Sequence, residues 1–248
     1  MSELECANVM SDSDVLTLLE GRIATYALLT RLYRKEVDEP LLSEMRAMRF
    51  PVNTGNADMD AGYRLFHTYL SNAWERTLTE LAIDYTRVFL GNGVNAYSAA
   101  YPFESVHTSS KRLLMQDARD EILALYRAND IITRSSWKVG EDHISLELEF
   151  MQVIGERMLV ARQKQREDEA ARLLAVQYGF LNDHLANWTP MLFAEMHKFA
   201  KTDFYRALAF LSAGFIATDF DILSEWIEAS DDEHHDGRSV PDPPFSGE

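Results

Sequence analysis

Histidine and carboxylate side chains are the groups in this sequence that could bind a metal or transfer protons. A helical di-iron or di-manganese site uses Glu-x-x-His pairs that project from facing helices. No histidine on a predicted helix has a glutamate three residues before it, and these histidines are His67, His143, His184 and His197. The pair His234-His235 lies in a polar terminal segment, where a chance surface pair is the simpler interpretation. We therefore predict no metal site and no bound cofactor.

Motifs for nucleotide binding and nucleophilic catalysis are missing from the sequence. It contains no Gly-x-Gly-x-x-Gly, no Gly-x-x-x-x-Gly-Lys and no Gly-x-Ser-x-Gly. Cys6 is the single cysteine, so no thiolate cluster can hold zinc or an iron–sulfur centre. We predict that the chain is not an enzyme.

One segment combines aromatic residues with a carboxylate. Residues 85–91 read YTRVFLG, and residues 101–107 read YPFESVH. Tyr85 and Phe89 lie one helical turn apart, and Gly91 is a helix-ending signal. The loop beyond could recognise a ligand, because rigid helices often present recognition residues on loops. The alternative is an ordinary helix end whose loop aromatics fold into the core, namely Tyr97, Tyr101 and Phe103.

A second polar segment opens a strongly apolar helix. Residues 140–147 read GEDHISLE. Asp142 could cap this helix and contribute about 1 kcal/mol, and His143 and Glu147 share a face and could pair. Polar residues in this place would lie at the rim of a groove. The alternative is a purely structural cap with a satisfied pair.

Asp219 lies on the apolar face of the last predicted helix, between Phe215 and Ile222. A carboxylate buried there needs hydrogen-bond partners. We predict that it is a structural hydrogen-bond acceptor and not a site residue.

The elements that must position these residues are helices. Apolar residues recur at helical spacing almost throughout, and Gly (11) and Pro (7) are sparse. The predicted helices span about 14–35, a short stretch after Pro40, 58–90 as one or two helices, 109–129, 141–165, 167–186, 190–201 and 203–230. Asp12 or Asp14 could cap the first helix, and Pro190 suits the first turn of its own. We predict an all-α bundle of about eight to ten helices.

The segment 130–140 is the best candidate for a hinge-like joint. We expect an N-terminal helical subdomain at 1–134, which carries the motif at 85–107, and a smaller C-terminal bundle at 135–230, which opens with Asp142-His143. The acidic, Pro-rich segment 231–248 is predicted to be a disordered tail. Because such a joint could allow domain exchange, a homodimer remains open.

The chain is strongly acidic, with 24 Lys and Arg against 40 Asp and Glu and a formal charge of −16. This charge repels nucleic acid and anionic membranes, and it favours basic partners or simple solubility. The first residues are acidic, unlike a secretory signal, and no stretch approaches about 18 uninterrupted apolar residues. We predict a cytoplasmic protein that does not bind nucleic acid or insert stably into a membrane.

The two polar segments resemble the TorD/DmsD family of redox-enzyme maturation chaperones, to which NarJ-type proteins are related. The family's first motif is Tyr-x-x-Leu-Phe-x-Gly followed by Pro-Tyr-Glu-Ser-Val-Tyr, and its second is Glu-Pro-x-Asp-His followed by Glu-Leu and Phe-Met. The matching stretches here are 85–91, 102–107 and 139–151. The departures are Val88 for Leu, His107 for Tyr, and Val139-Gly140 for Glu-Pro.

The resemblance implies a partner. Members of the family bind the twin-arginine signal peptide of a molybdopterin-dependent oxidoreductase, assist insertion of its cofactor and delay its export. Whether the immature enzyme body is also held stays open. Carboxylates suit the two guanidinium groups, and an aromatic groove suits the apolar stretch that follows them. The expected client-binding residues are Tyr85, Phe89, Tyr101, Pro102, Phe103, Glu104, Ser105, Asp142, His143 and Glu147.

Within this set, Asp142 and Glu104 are expected at the charged end, and the aromatic residues along the apolar part. Two other classes of protein are weighed against the chaperone. A helical cofactor-binding oxidoreductase would need metal ligands or a cofactor lysine in the bundle. A ligand-sensing regulator would need a basic DNA-reading segment, whereas the N-terminus is acidic.

Overall fold

A computed structural model of the chain describes residues 11–91, 98–134, 137 and 139–236, with side chains as far as residue 230. Within these residues the regular structure consists of helices and one isolated bridge between Phe103 and His143. The α-helices are α1 (Asp12–Arg34), α2 (Glu39–Ala47), α3 (Ala57–Ser71), α4 (Thr77–Tyr85), α5 (Glu104–Thr108), α6 (Asp117–Ala128), α7 (Ile144–Gln163), α8 (Glu167–Phe180), α9 (Ala186–Phe199) and α10 (Asp203–Asp236). The predicted all-α bundle is confirmed.

The helices enclose one continuous set of buried apolar side chains. The most extensive contacts are those of α1 with α7 and of α3 with α10. In both pairs the first helix precedes residue 134 and the second follows it, so the core crosses the expected joint. Both portions thus contribute to one core, and the division into two subdomains stays a prediction.

Local hydrogen bonding accounts for several helix ends. The N-cap of α1 is Ser11, whose hydroxyl accepts from the amide of Asp14 while the Asp14 carboxylate accepts from Ser11. This is a capping box. The predicted cap is therefore wrong, because Asp12 and Asp14 lie in the first turn and the cap is Ser11. Gly91 directly follows the helical turn that ends at Leu90, and its backbone is in the left-handed region at φ 58°. This agrees with the helix-ending signal predicted at Gly91.

Two predicted helix boundaries are wrong. The helix expected to begin at residue 109 begins at Asp117, because Arg112 and Met115 adopt left-handed backbone conformations. The break expected before Pro190 does not occur, since Pro190 lies inside α9. A proline removes one helical hydrogen bond. Before it, residues Leu181–Leu185 form one turn of π-helix, which we call the π-turn, and this turn joins α8 to α9 without interruption.

Helix α10 is the central apolar helix of the fold. Its stretch Asp203–Ser230 is long and apolar enough to cross a membrane, with a mean hydropathy of 1.5, but 56% of that window is buried inside the protein. Within it, Asp219 is fully buried and accepts from the guanidinium of Arg22 and from the hydroxyl of Tyr26, the latter at 2.7 Å. This confirms the structural role predicted for Asp219 and is what a core helix shows.

The described residues include only part of the predicted C-terminal tail. Helix α10 runs to Asp236, into the segment expected to be a disordered tail, and residues 237–248 lie outside the described residues, as does Cys6.

Two glycines allow α3 and α10 to cross closely. A Cβ atom built at Gly62 would lie 2.7 Å from the backbone nitrogen of Leu211, and one at Gly214 would lie 2.6 Å from that of Met59. Since backbone atoms cannot yield as a flexible side chain can, any larger residue at these positions would push the helices apart.

We predict that Gly62→Ala destabilises the fold by about 1–3 kcal/mol, the usual cost of overpacking. Gly21→Ala is the matched control, because it also lies inside a helix but nothing would touch its Cβ within 4 Å. The control should gain up to about 1 kcal/mol from its better helix propensity. Urea unfolding followed by circular dichroism measures both. Equal stability of the two variants would contradict the close crossing.

Candidate functional site

The structure places the two motifs side by side. Phe103 and His143 form an antiparallel bridge, and their rings meet edge to face at 5.0 Å. Hydrogen bonds of 3.0 Å flank the bridge on both sides, from the amide of Ile144 to the carbonyl of Pro102 and from the amide of Glu104 to the carbonyl of Asp142. Residues 102–105 and 142–144 thus form one unit, which we call the motif junction.

The Asp142 carboxylate closes the motif junction. Its Oδ2 accepts from the amide of Ser105 at 3.0 Å, at the start of α5, and the side chain is fully buried. The first amides of a helix lack partners within the helix, so an acceptor is needed there. The prediction that Asp142 caps the helix it opens is therefore wrong, because its carboxylate accepts from the other motif. The N-cap of α7 is His143, whose Nδ1 accepts from the amide of Ser145 at 3.1 Å.

The glycine that departs from the family pattern fits against this carboxylate. A Cβ built at Gly140 would lie 2.5 Å from Oδ1 of Asp142. That same Oδ1 is buried without a hydrogen-bond partner among the described atoms. Gly140 thus permits the close approach that the carboxylate makes to its own chain.

Glu104 reaches a third element of the fold. Its carboxylate lies 3.0 Å from Nδ1 of His184 in the π-turn, and only 3% of Glu104 is exposed. It was expected at the rim of a groove, and the structure buries it instead. A carboxylate without solvent needs such a partner, since burial of an unpaired charge is costly.

Glu147 is also buried, and it does not pair with His143 as predicted. Its Oε2 accepts from Nε1 of Trp188 at 2.9 Å, on α9. Burial raises the pKa of Glu147 well above its ordinary value, and the nearby charges of Glu104 and Asp142 raise it further. The site therefore contains a carboxyl group that tends to keep its proton.

His107 completes this buried cluster. Its ring stacks on Trp188 at 5.3 Å, and its Nε2 lies 2.9 Å from the carbonyl oxygen of Tyr101. Burial lowers the pKa of His107 to about 4, and burial lowers that of His143 to about 3. Both imidazoles are accordingly neutral near pH 7.

Sequence reasoning missed one metal-type pattern, the Glu-x-x-His formed by Glu104 and His107. It was missed because this segment was predicted to be a loop, whereas it forms α5. Glu104 instead pairs with His184. Among the described residues, no group of three or more His, Cys, Asp and Glu side chains could hold a metal ion.

The aromatic residues of the first motif lie in the core. Tyr85 and Phe89 pack on each other at 5.0 Å and both contact Tyr205, and the Tyr85 hydroxyl donates to the carbonyl of Tyr33 at 3.0 Å. Tyr101 is half-buried, with its hydroxyl 2.9 Å from Oγ of Ser98. Of the loop aromatics that the helix-end alternative places in the core, Phe103 is buried and Tyr101 is only half-buried. Tyr97 lies outside the described residues.

Nine of the ten predicted site residues are buried, and Tyr101 is half-buried. The motif junction, which includes Glu104, lies next to Glu147, while Tyr85 and Phe89 belong to the core between α1 and α10. His184 and Trp188 were missed as partners. They lie four residues apart on one continuous helix, but the break predicted before Pro190 placed Trp188 in a gap between helices.

We predict that Glu147→Gln changes the pH dependence of stability. The folded protein holds the Glu147 proton after the unfolded chain has released it, so the contribution of Glu147 to stability falls as pH rises above about 4.5. Glutamine cannot ionise, so the variant should gain on the wild type by up to about 1.4 kcal/mol per pH unit.

Urea unfolding at pH 5, 6 and 7 measures this gain, with Glu156→Gln, exposed on the same helix, as the matched control. A constant difference between Glu147→Gln and wild type at all three values would show that Glu147 is ionised in the folded protein.

Comparison with known proteins places the chain in a family. Residues 56–194, more than half of the chain, match the family described as nitrate reductase delta subunit. Similar proteins named Chaperone protein TorD include that of Photobacterium profundum, 32% identical over 142 residues, which are 56% of this chain and 62% of the relative. The TorD of Aliivibrio salmonicida is 28% identical over 148 residues, which cover 58% and 65% respectively.

The chain thus spans a little under two thirds of the length of these two relatives. A longer match is the TorD of Shewanella pealeana, 26% identical over 220 residues, which cover 84% of this chain and 90% of the relative. The name shared by these relatives supports the prediction of a chaperone and not an enzyme. On these matches and on its two motifs, the chain belongs to the nitrate reductase delta subunit family and so to the TorD/DmsD group that its sequence resembles.

Proposed function

We propose that this protein is a cytoplasmic chaperone that helps a redox enzyme to mature. Its client is the twin-arginine signal peptide of a molybdopterin-dependent oxidoreductase. While the chaperone holds this leader, the metal cofactor can be inserted and export is delayed. The immature enzyme body is a second candidate client surface. Family membership and the names of the relatives support the chaperone role.

The observation that carries this proposal is the motif junction. Two segments 37 residues apart in the sequence pair through backbone hydrogen bonds and share the Asp142 carboxylate. A pair of motifs that builds one structural unit is better explained by one shared task than by two local packing roles. The net charge of −16 suits a cationic client.

Burial assigns the motif residues a positioning role in the free protein. Glu104, Asp142 and Glu147 already have protein partners and are almost inaccessible to solvent. An arginine of the leader could reach them only if the elements packed around them separated. We therefore propose that they fix the shape of the surface around the motif junction, and that the leader binds to side chains exposed beside it.

The test is a titration with a synthetic leader from a molybdoenzyme encoded near this gene. We expect binding, and we expect a peptide with both arginines changed to Gln to bind at least about tenfold more weakly, because a charge-assisted hydrogen bond is worth about 1.5–3 kcal/mol. A peptide with two lysines should fall between them, since Lys keeps the charge but loses the bidentate geometry.

Isothermal titration calorimetry measures all three affinities under one set of conditions. Failure of every leader to bind, or equal affinity of the twin-arginine and twin-glutamine peptides, would contradict the proposed client. Metal analysis and an absorption spectrum of the purified protein test the rival oxidoreductase in the same preparation.

A further inference from the structure

An open groove lies beside the motif junction. It has a volume of about 390 Å³ and runs between the C-terminal ends of α1 and α6, the connector after α6 and the first turns of α7. Its apolar lining comes from the connector and from α7, namely Ile131, Leu146, Phe150 and Val153. Ile132 on the connector is 90% exposed, so apolar surface continues outward from the groove.

The second motif builds one wall of this groove. The Trp137 ring lies 5.5 Å from that of His143, and its Nε1 donates to the carbonyl of Gly140 at 3.3 Å. The buried residues of the motif therefore hold an exposed wall in place, which is the positioning role proposed above.

A guanidinium group already occupies the polar end of the groove. Nη2 and Nη1 of Arg34 lie 2.6 Å and 3.2 Å from the two carboxylate oxygens of Glu149. Nη2 also donates to the carbonyl of Ser145 at 3.3 Å, and the guanidinium carbon lies 5.7 Å from the ring centre of Trp137. A bidentate carboxylate, a carbonyl oxygen and an indole face are together a recognition site for arginine.

This arginine is exposed enough for a competitor to reach it. The Arg34 and Glu149 side chains are 32% and 40% exposed, so the pair is open to solvent and partly screened by it. Nε of Arg34 is buried without a partner among the described atoms. An incoming arginine could therefore replace Arg34 on Glu149, because it can make the same contacts to the carboxylate, the carbonyl oxygen and the indole.

We propose that Arg34 is an internal substitute for an arginine of the client leader. The leader displaces Arg34, places its own guanidinium on Glu149 and Trp137, and lays its apolar residues along the floor formed by the connector and α7. The inference rests on the proposed function, because it commits to the leader as the occupant. It is based on two correspondences. The site already holds a guanidinium, as it would hold an arginine of the leader, and the adjoining surface is apolar, like the stretch that follows the arginines in the leader.

The experiment compares Arg34→Gln with Glu149→Gln in the same leader titration. Removing the internal competitor should strengthen binding of the twin-arginine peptide about fivefold, whereas removing the carboxylate should weaken it about tenfold. The double variant should bind like Glu149→Gln, because the gain at position 34 needs the carboxylate. The twin-glutamine peptide should respond little to any of these changes.

Matched controls come from the same helices. Arg31→Gln removes a surface ion pair on α1, and Glu156→Gln removes an exposed carboxylate on α7. Both should leave the affinity within about twofold of wild type, well under 1 kcal/mol. Thermal unfolding checks that every variant is folded, and Glu149→Asp, which shortens the side chain but keeps the charge, replaces Glu149→Gln if that variant does not fold.

Several outcomes would overturn the inference. If Arg34→Gln weakened binding as Glu149→Gln does, the ion pair would be a wall of the groove and not a substitute for the client. If all variants bound like wild type, the leader would bind elsewhere and the proposed function would survive alone. If wild type bound no leader, the proposed function would fail and this inference with it.

Discussion

The hydrogen bond from the amide of Ser105 to the Asp142 carboxylate is the constraint on which the site depends. It joins two segments 37 residues apart, and it satisfies an amide at the start of α5. A helix as short as α5 cannot persist in water by itself, because nucleation costs more than one turn returns. Its position is therefore set by the motif junction, and Glu104 and His107 are positioned with it.

Burial of several acids in one place follows from this constraint. Once the motif junction joins the start of α5 to the start of α7, Glu104 and Glu147 are removed from water and need partners on α9 and the π-turn before it. His184 and Trp188 supply them. Burial raises the pKa of Glu147, and the neighbouring carboxylates raise it further because acids close together disfavour simultaneous ionisation. The result is a buried polar cluster that links α5, α7 and α9.

The sequence predicted the helices well because their packing repeats every three or four residues. It predicted Asp219 as a structural acceptor for the same reason, since a carboxylate on an apolar face leaves few alternatives. It found the motif residues through their resemblance to a family. It could not show that Asp142 caps the other motif, because that contact depends on how distant segments pack.

The burial of the carboxylates was equally hidden from the sequence. Acidic residues next to aromatic ones suggested an open, charged rim. Trp188 could not be predicted as a partner of Glu147, because the continuity of α8 and α9 past Pro190 was not predicted. The guanidinium site on Glu149 was hidden too, since Arg34 lies on α1 and far from both motifs in the sequence. The spacing of apolar residues predicts which face of a helix is buried, whereas the partners of a side chain that are distant in sequence can be identified only from the three-dimensional structure.

Amide hydrogen exchange measures the central constraint most directly. In the free wild-type protein, the amides of Glu104, Ser105 and Ile144 should exchange as slowly as those within α7. Asp142→Asn, which keeps an acceptor oxygen, should preserve this protection, and Asp142→Ala should remove it at all three amides while α1 and α10 stay protected. Fast exchange at these amides in wild type, or unchanged protection in Asp142→Ala, would contradict the account.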